Sequence, residues 1–84
     1  MSKYYAEKKK VTNAIKDKFI EDIQKLNDGS IDCIKSEDYV FELSLRYEYS
    51  DKGVREILTR FADRYGLKVS RIDQGFICEL PEAE

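Results

Sequence analysis

No histidine occurs in the 84 residues of this chain. That removes the commonest acid or base at neutral pH, the commonest metal ligand, and every Ser-His or Cys-His nucleophile pair. The two cysteines, Cys33 and Cys78, lie far apart in apolar surroundings, so they give neither a zinc spacing nor an activated thiolate. They read as small core residues of a reducing compartment. Gly29, Gly53, Gly66 and Gly75 are isolated from one another, which excludes a phosphate-cradling loop. Carboxylates are plentiful. However, Glu21 with Asp22, Glu37 with Asp38 and Glu56 with Asp63 fall on polar faces or in turns, where solvated carboxylates are ordinary. The chain is therefore expected to have no enzymatic activity, metal or cofactor.

Excess charge is missing as well. Fifteen basic and seventeen acidic residues leave a net of −2, so the whole-molecule field selects neither a polyanion nor a polycation as partner. No run approaches the roughly 20 apolar residues of a membrane span, and no apolar stretch near Met1 matches a secretory signal. The expected location is cytoplasmic, with no membrane partner. The length allows one core, read as a single small domain over residues 1–80 with a disordered acidic tail at 81–84. Ten aromatic residues among 42 % hydrophobic ones argue for a folded chain.

What is present is periodicity. From Lys3 to Leu26 there is no Gly or Pro, and Val11, Ile15, Phe19, Ile23 and Leu26 recur at helical spacing. Tyr4 and Tyr5 border this stripe and Lys8 interrupts it. Asn27-Asp28-Gly29 supplies a stop. A short strand is expected within Ser30–Ile34, followed by a turn at Ser36-Glu37-Asp38. Tyr39, Phe41, Leu43, Leu45, Tyr47 and Tyr49 then alternate with Val40, Glu42, Ser44, Arg46 and Glu48, which predicts a long strand with one apolar face. Ser50 or Asp51 caps a second helix carrying Val54, Ile57, Leu58, Phe61, Ala62 and Tyr65, and Gly66 ends it. Leu67 and Val69 open a strand, Asp73-Gln74-Gly75 turns it, and Phe76, Cys78 and Leu80 form the last one.

The order α-β-β-α-β-β predicts an α+β fold: a mainly antiparallel sheet of three or four strands with two amphipathic helices on one face. The closing helix, strand, turn and strand resemble the end of a winged-helix DNA-binding domain. That arrangement needs two consecutive helices before the wing, and with 39–49 read as a strand only one is present. No family is therefore assigned.

Three surfaces are candidates for binding. Tyr4 and Tyr5 beside Lys8, Lys9 and Lys10 combine rings and cations, as a single-stranded nucleic acid or a protein partner would use. Helix 1, about 24 residues and roughly 36 Å long, is expected to overhang the domain with its first two turns. Arg46, Arg55, Arg60, Arg64 and Arg71 form an arginine set in the C-terminal half; Arg60 and Arg64 lie one turn apart and could take an anion, although Glu56 and Asp63 offer them local ion pairs. Glu42, Ser44, Arg46 and Glu48 would form an open sheet face of mixed charge. By elimination, the leading expectation is a protein-binding module: an adaptor, inhibitor or accessory protein of the kind phages and mobile elements encode. Its partner would be another protein or a second copy of itself. The alternative is a nucleic-acid-binding protein using the N-terminal Tyr/Lys cluster.

Overall fold

The computed structural model describes the backbone of residues 3–82 and the side chains of residues 7–82. Helix α1 (Lys3–Asp28) leads to a two-residue strand β1 (Ile34–Lys35). Two consecutive helices follow, α2 (Ser36–Leu43) and α3 (Asp51–Arg64), and then the hairpin β2 (Lys68–Arg71) and β3 (Phe76–Glu79). The three strands form one antiparallel sheet in the order β1-β3-β2. Cys78 faces Ile34 on one side and Val69 on the other.

Helix α1 follows the predicted stripe. Val11, Ile15, Phe19 and Leu26 are buried, and Gly29 ends the helix with φ 81°. Helix α3 does the same with Val54, Ile57, Leu58, Phe61 and Ala62. Its cap is Ser50, whose Oγ accepts the Gly53 N–H at 3.0 Å, with Asp51 in the first turn and Arg64 in the last. The buried residues of all three helices and of β1 and β3 form one cluster. The Phe19 ring sits at its middle, 6.5 Å from Tyr39 and 6.2 Å from Phe61 between centroids.

The α+β class stands, but the predicted long strand over Tyr39–Tyr49 does not. Its first half is α2 and its second half a compact turn, so there are three helices and three strands rather than two helices and a possible fourth strand. Val40 decides between the two periods. In a strand it would sit on the polar face, whereas in a helix Val40 joins Ser36, Tyr39 and Leu43 on one buried face and sends Phe41 outward. Tertiary burial thus overrides an alternation that fits a strand equally well. Helical hydrogen bonding continues past Leu43 through Ser44 N–H to Val40 C=O and Tyr47 N–H to Leu43 C=O. Glu48 at φ 52° then turns the chain toward α3. Residues Glu42, Ser44, Arg46 and Glu48 accordingly lie on α2 and its turn, not on an open sheet face. The two consecutive helices missing from the winged-helix resemblance are both present.

Candidate nucleic-acid interface

The face of α3 opposite its buried stripe carries Lys52, Arg55, Glu56, Thr59 and Arg60 at the spacing of one helix side. The hairpin rises beside it. Its turn is closed by the Ile72 N–H donating to the Gly75 carbonyl at 3.2 Å. Between helix and hairpin runs an open groove, with Arg71, Ile72, Asp73 and Gln74 on the hairpin side and Glu37 at the α2 end.

The groove's width is set by a clasp joining three elements. The buried Ser36 Oγ accepts the Phe76 N–H at 2.9 Å, across 40 positions of chain. Glu37 receives Arg55 through two hydrogen bonds, Nε at 2.9 Å and Nη2 at 3.1 Å. That contact holds the Glu37 carboxyl below its usual range and keeps Arg55 firmly cationic. Gly75, at φ 90°, lies so close to Ser36 and Glu37 that a Cβ there would collide with both. Hairpin, α2 and α3 are fastened at this point.

Glu37 neutralises Arg55, but the other cations are different. Among the described residues, Lys52, Arg60, Arg64 and Arg71 have no carboxylate within 4.0 Å. The local pairs expected from Glu56 to Arg60 and from Asp63 to Arg64 do not form. Glu37 and Asp22, expected to be plain solvated carboxylates, are instead engaged. Asp22 accepts the Tyr39 hydroxyl at 2.6 Å, and burial, reinforced by this acceptor, pushes the Tyr39 pKa well above that of a free phenol. Lys18 closes the set, lying 5.1 Å from the Tyr39 ring centroid and 3.1 Å from Glu42.

A smaller hollow adjoins the groove at the start of α3. It is lined by Lys8, Tyr49, Lys52, Glu56 and Arg60, among others. Two candidates that the sequence placed in separate clusters, Lys8 and Arg60, thus share one hollow, and Lys8 faces α3 instead of overhanging the domain. Arg60 lines both depressions. Lys9, Lys10 and Arg64 are exposed and line neither. The side chains of Tyr4 and Tyr5 lie outside the described residues.

Sequence reasoning missed Lys52, Thr59 and Gln74, and it named Arg71 only as one of the arginines of the C-terminal half. The signal for the α3 residues was available: 52, 55, 56, 59 and 60 repeat the helical spacing of the apolar stripe on the opposite face. Arg71 and Gln74 join them only through the hairpin's packing. Among the described residues there is no cluster of metal-ligating side chains and no helix long and apolar enough to cross a membrane. Comparison with family models, curated proteins and solved structures finds no match.

Proposed function

We propose that this chain is a non-enzymatic, duplex-DNA-binding module of the winged-helix type, with α3 entering the major groove and the β2–β3 hairpin serving as the wing. The observation that carries this reading is the groove between α3 and the hairpin, where Lys52, Arg60 and Arg71 have no carboxylate partner among the described residues and stand beside Thr59 and Gln74. A helix with cations along its exposed side suits a phosphate backbone, and amide or hydroxyl side chains among them can read base edges. The element order and the strand order β1-β3-β2 support it, since they provide two consecutive helices followed by a hairpin. Lys8 extends the cationic surface beyond the start of α3.

Glu56 and Asp73 share this face and repel phosphates, and the net charge is −2. Generic DNA affinity is therefore low and strongly salt-dependent, and preference for a sequence matters more. Glu56 can contribute there by accepting from a cytosine amino group.

The test is fluorescence anisotropy with random and selected duplexes across a salt series. Arg60→Ala and Arg71→Ala should each weaken binding and reduce the slope of log K against log salt by about 0.9, one phosphate contact apiece. Lys9→Ala, outside both depressions, should leave the slope unchanged. If no duplex from a selected pool binds at low salt, or if the Arg60 and Arg71 variants bind like the parent, the reading fails. Single-stranded DNA competing as well as duplex would point back to the Tyr/Lys cluster.

A further inference from the structure

Lys8 interrupts the apolar stripe of α1, yet it faces α3, where it lines the hollow at the start of that helix together with Lys52 and Arg60. Among the described residues none of these three cations has a carboxylate within 4.0 Å. Glu56 is the only described carboxylate lining the hollow; Glu7 and Asp51, the sequence neighbours of Lys8 and Lys52, do not line it. Like charges brought to one place from two helices repel, and no ion pair relieves them here. An anion seated between them removes that cost.

The walls of the hollow are held in place by packing. Tyr49 and Ser50 line it beside Ile57, which is itself buried. Gly53 lies so close to the Tyr49 ring and the Ser50 Oγ that a Cβ would collide with both. Glycine inside a helix is less favourable than alanine, and at this position it makes room for the ring. The Gly53 N–H already donates to the Ser50 Oγ at 3.0 Å, so the side-chain cations, not that amide, supply the attraction for a ligand.

Size and charge select the ligand. A volume of about 230 Å³ falls below the range of drug-sized sites and admits a tetrahedral oxyanion with the first atoms attached to it. Three cations against one carboxylate leave a net of +2. A phosphomonoester carries about −1.5 to −2 at neutral pH, whereas each phosphodiester of a nucleic-acid backbone carries a single negative charge. We infer that the hollow is a site for a terminal phosphate group. Arg60 offers it a planar fork of donors, and Lys8 and Lys52 act as point charges. That chemistry is shared by the phosphorylated end of a nucleic acid and by a small free phosphomonoester. Lys8, Tyr49, Ser50 and Gly53 line the hollow and not the α3–hairpin groove, and the inference does not rest on the duplex reading.

The test is a titration of the full chain with inorganic phosphate from about 0.1 to 20 mM, followed by amide chemical shifts at an ionic strength held constant with sodium chloride. The Lys52 and Gly53 amides should shift saturably with a dissociation constant on the order of 1 mM, as suits exposed cations in a hydrated hollow. Lys8→Gln and Arg60→Gln should each weaken binding about fivefold, and Glu56→Gln should tighten it by about as much. Lys9→Gln, outside the hollow, should bind like the parent. Shifts that stay linear to the top of the range overturn the inference. So does a Lys8→Gln protein that binds like the parent, or a Glu56→Gln protein that binds more weakly. The source of the phosphate is read by comparing a duplex with phosphorylated ends against the same duplex with hydroxyl ends. A preference for the phosphorylated duplex that Lys8→Gln abolishes supports the site and assigns it to nucleic-acid ends. Equal behaviour of the two duplexes, with inorganic phosphate still bound, supports it and assigns it to a small phosphomonoester.

Discussion

Helices α2 and α3 are neighbours with similar inner faces and opposite outer ones. Inside, Tyr39, Val40 and Leu43 of α2 join the same cluster as Val54, Ile57, Leu58 and Phe61 of α3. Outside, α3 shows Lys52, Thr59 and Arg60, whereas α2 and its turn show Phe41 and Leu45. The inner faces account for stability and are interchangeable in kind. The outer faces differ in chemistry: one is charged and polar, the other apolar. The contrast holds only while the two helices keep a fixed relation to each other.

That fixed relation is where the comparison is most easily broken. Gly75→Ala places a Cβ against Ser36 and Glu37 at a backbone angle that disfavours side chains. It should cost about 3 kcal/mol in chemical denaturation. Gly29→Ala, with open space around a similar φ of 81°, should cost only about 1 kcal/mol. Equal losses would mean that the clasp is slack and the two faces are independently oriented.

The next test contrasts adjacent residues of α2. Val40→Ser should lose about 2 kcal/mol, because it buries a hydroxyl and removes two methyl groups from the core. Phe41→Ser should stay within about 0.5 kcal/mol, since its ring is already in water. A reversed order would restore the strand reading of this segment.

Tyr39→Phe probes the tie between α1 and α2, with an expected loss of about 1 kcal/mol near neutral pH. Its pH signature carries a definite sign. The folded-state pKa of Tyr39 is raised, so its contribution is complete below the unfolded phenol value near 10 and fades as the pH rises above it. Above about pH 10 the stability of the parent should therefore fall more steeply than that of the variant. The smallest effect belongs to Glu37→Gln. Its lowered pKa makes the Arg55 contact stabilising above about pH 4.3 and lost as acid takes the pH through the depressed value. The pair is partly exposed, so at neutral pH the loss should be under about 1 kcal/mol, and the gap between parent and variant in thermal melts should narrow as the pH is lowered through the acid range.

The sequence made α1, α3 and the hairpin legible because each has one period, a stop signal and no competing pattern. Gly29, Gly66 and Asp73-Gln74-Gly75 fall where they were read, and the buried stripes match apart from the half-buried Ile23 and the exposed Tyr65. Residues 39–49 defeated the same reasoning. A two-residue alternation and an α-helical face coincide at Tyr39 and Leu43, and only the three-dimensional placement of Val40 separates them. Losing α2 also cost the site its context. With one helix in place of two, Arg60 belonged to an isolated charged flank, and Lys8 belonged to a helix end projecting into water. The groove exists because the hairpin packs against α2 through Ser36 and beside α3, a relation between residues 40 positions apart that no local pattern encodes.

The strand order has one more consequence, in time rather than space. β3 is the middle strand, and both β1 and β2 hydrogen-bond to it and not to each other. During synthesis, β1 and β2 emerge from the ribosome with no strand to pair with until Phe76–Glu79 has followed them. Helices α1 to α3 can associate earlier, but the hairpin and its grip on Ser36 are the last parts to form. A ribosome stalled before residue 76 would hold a nascent chain with helices and no sheet.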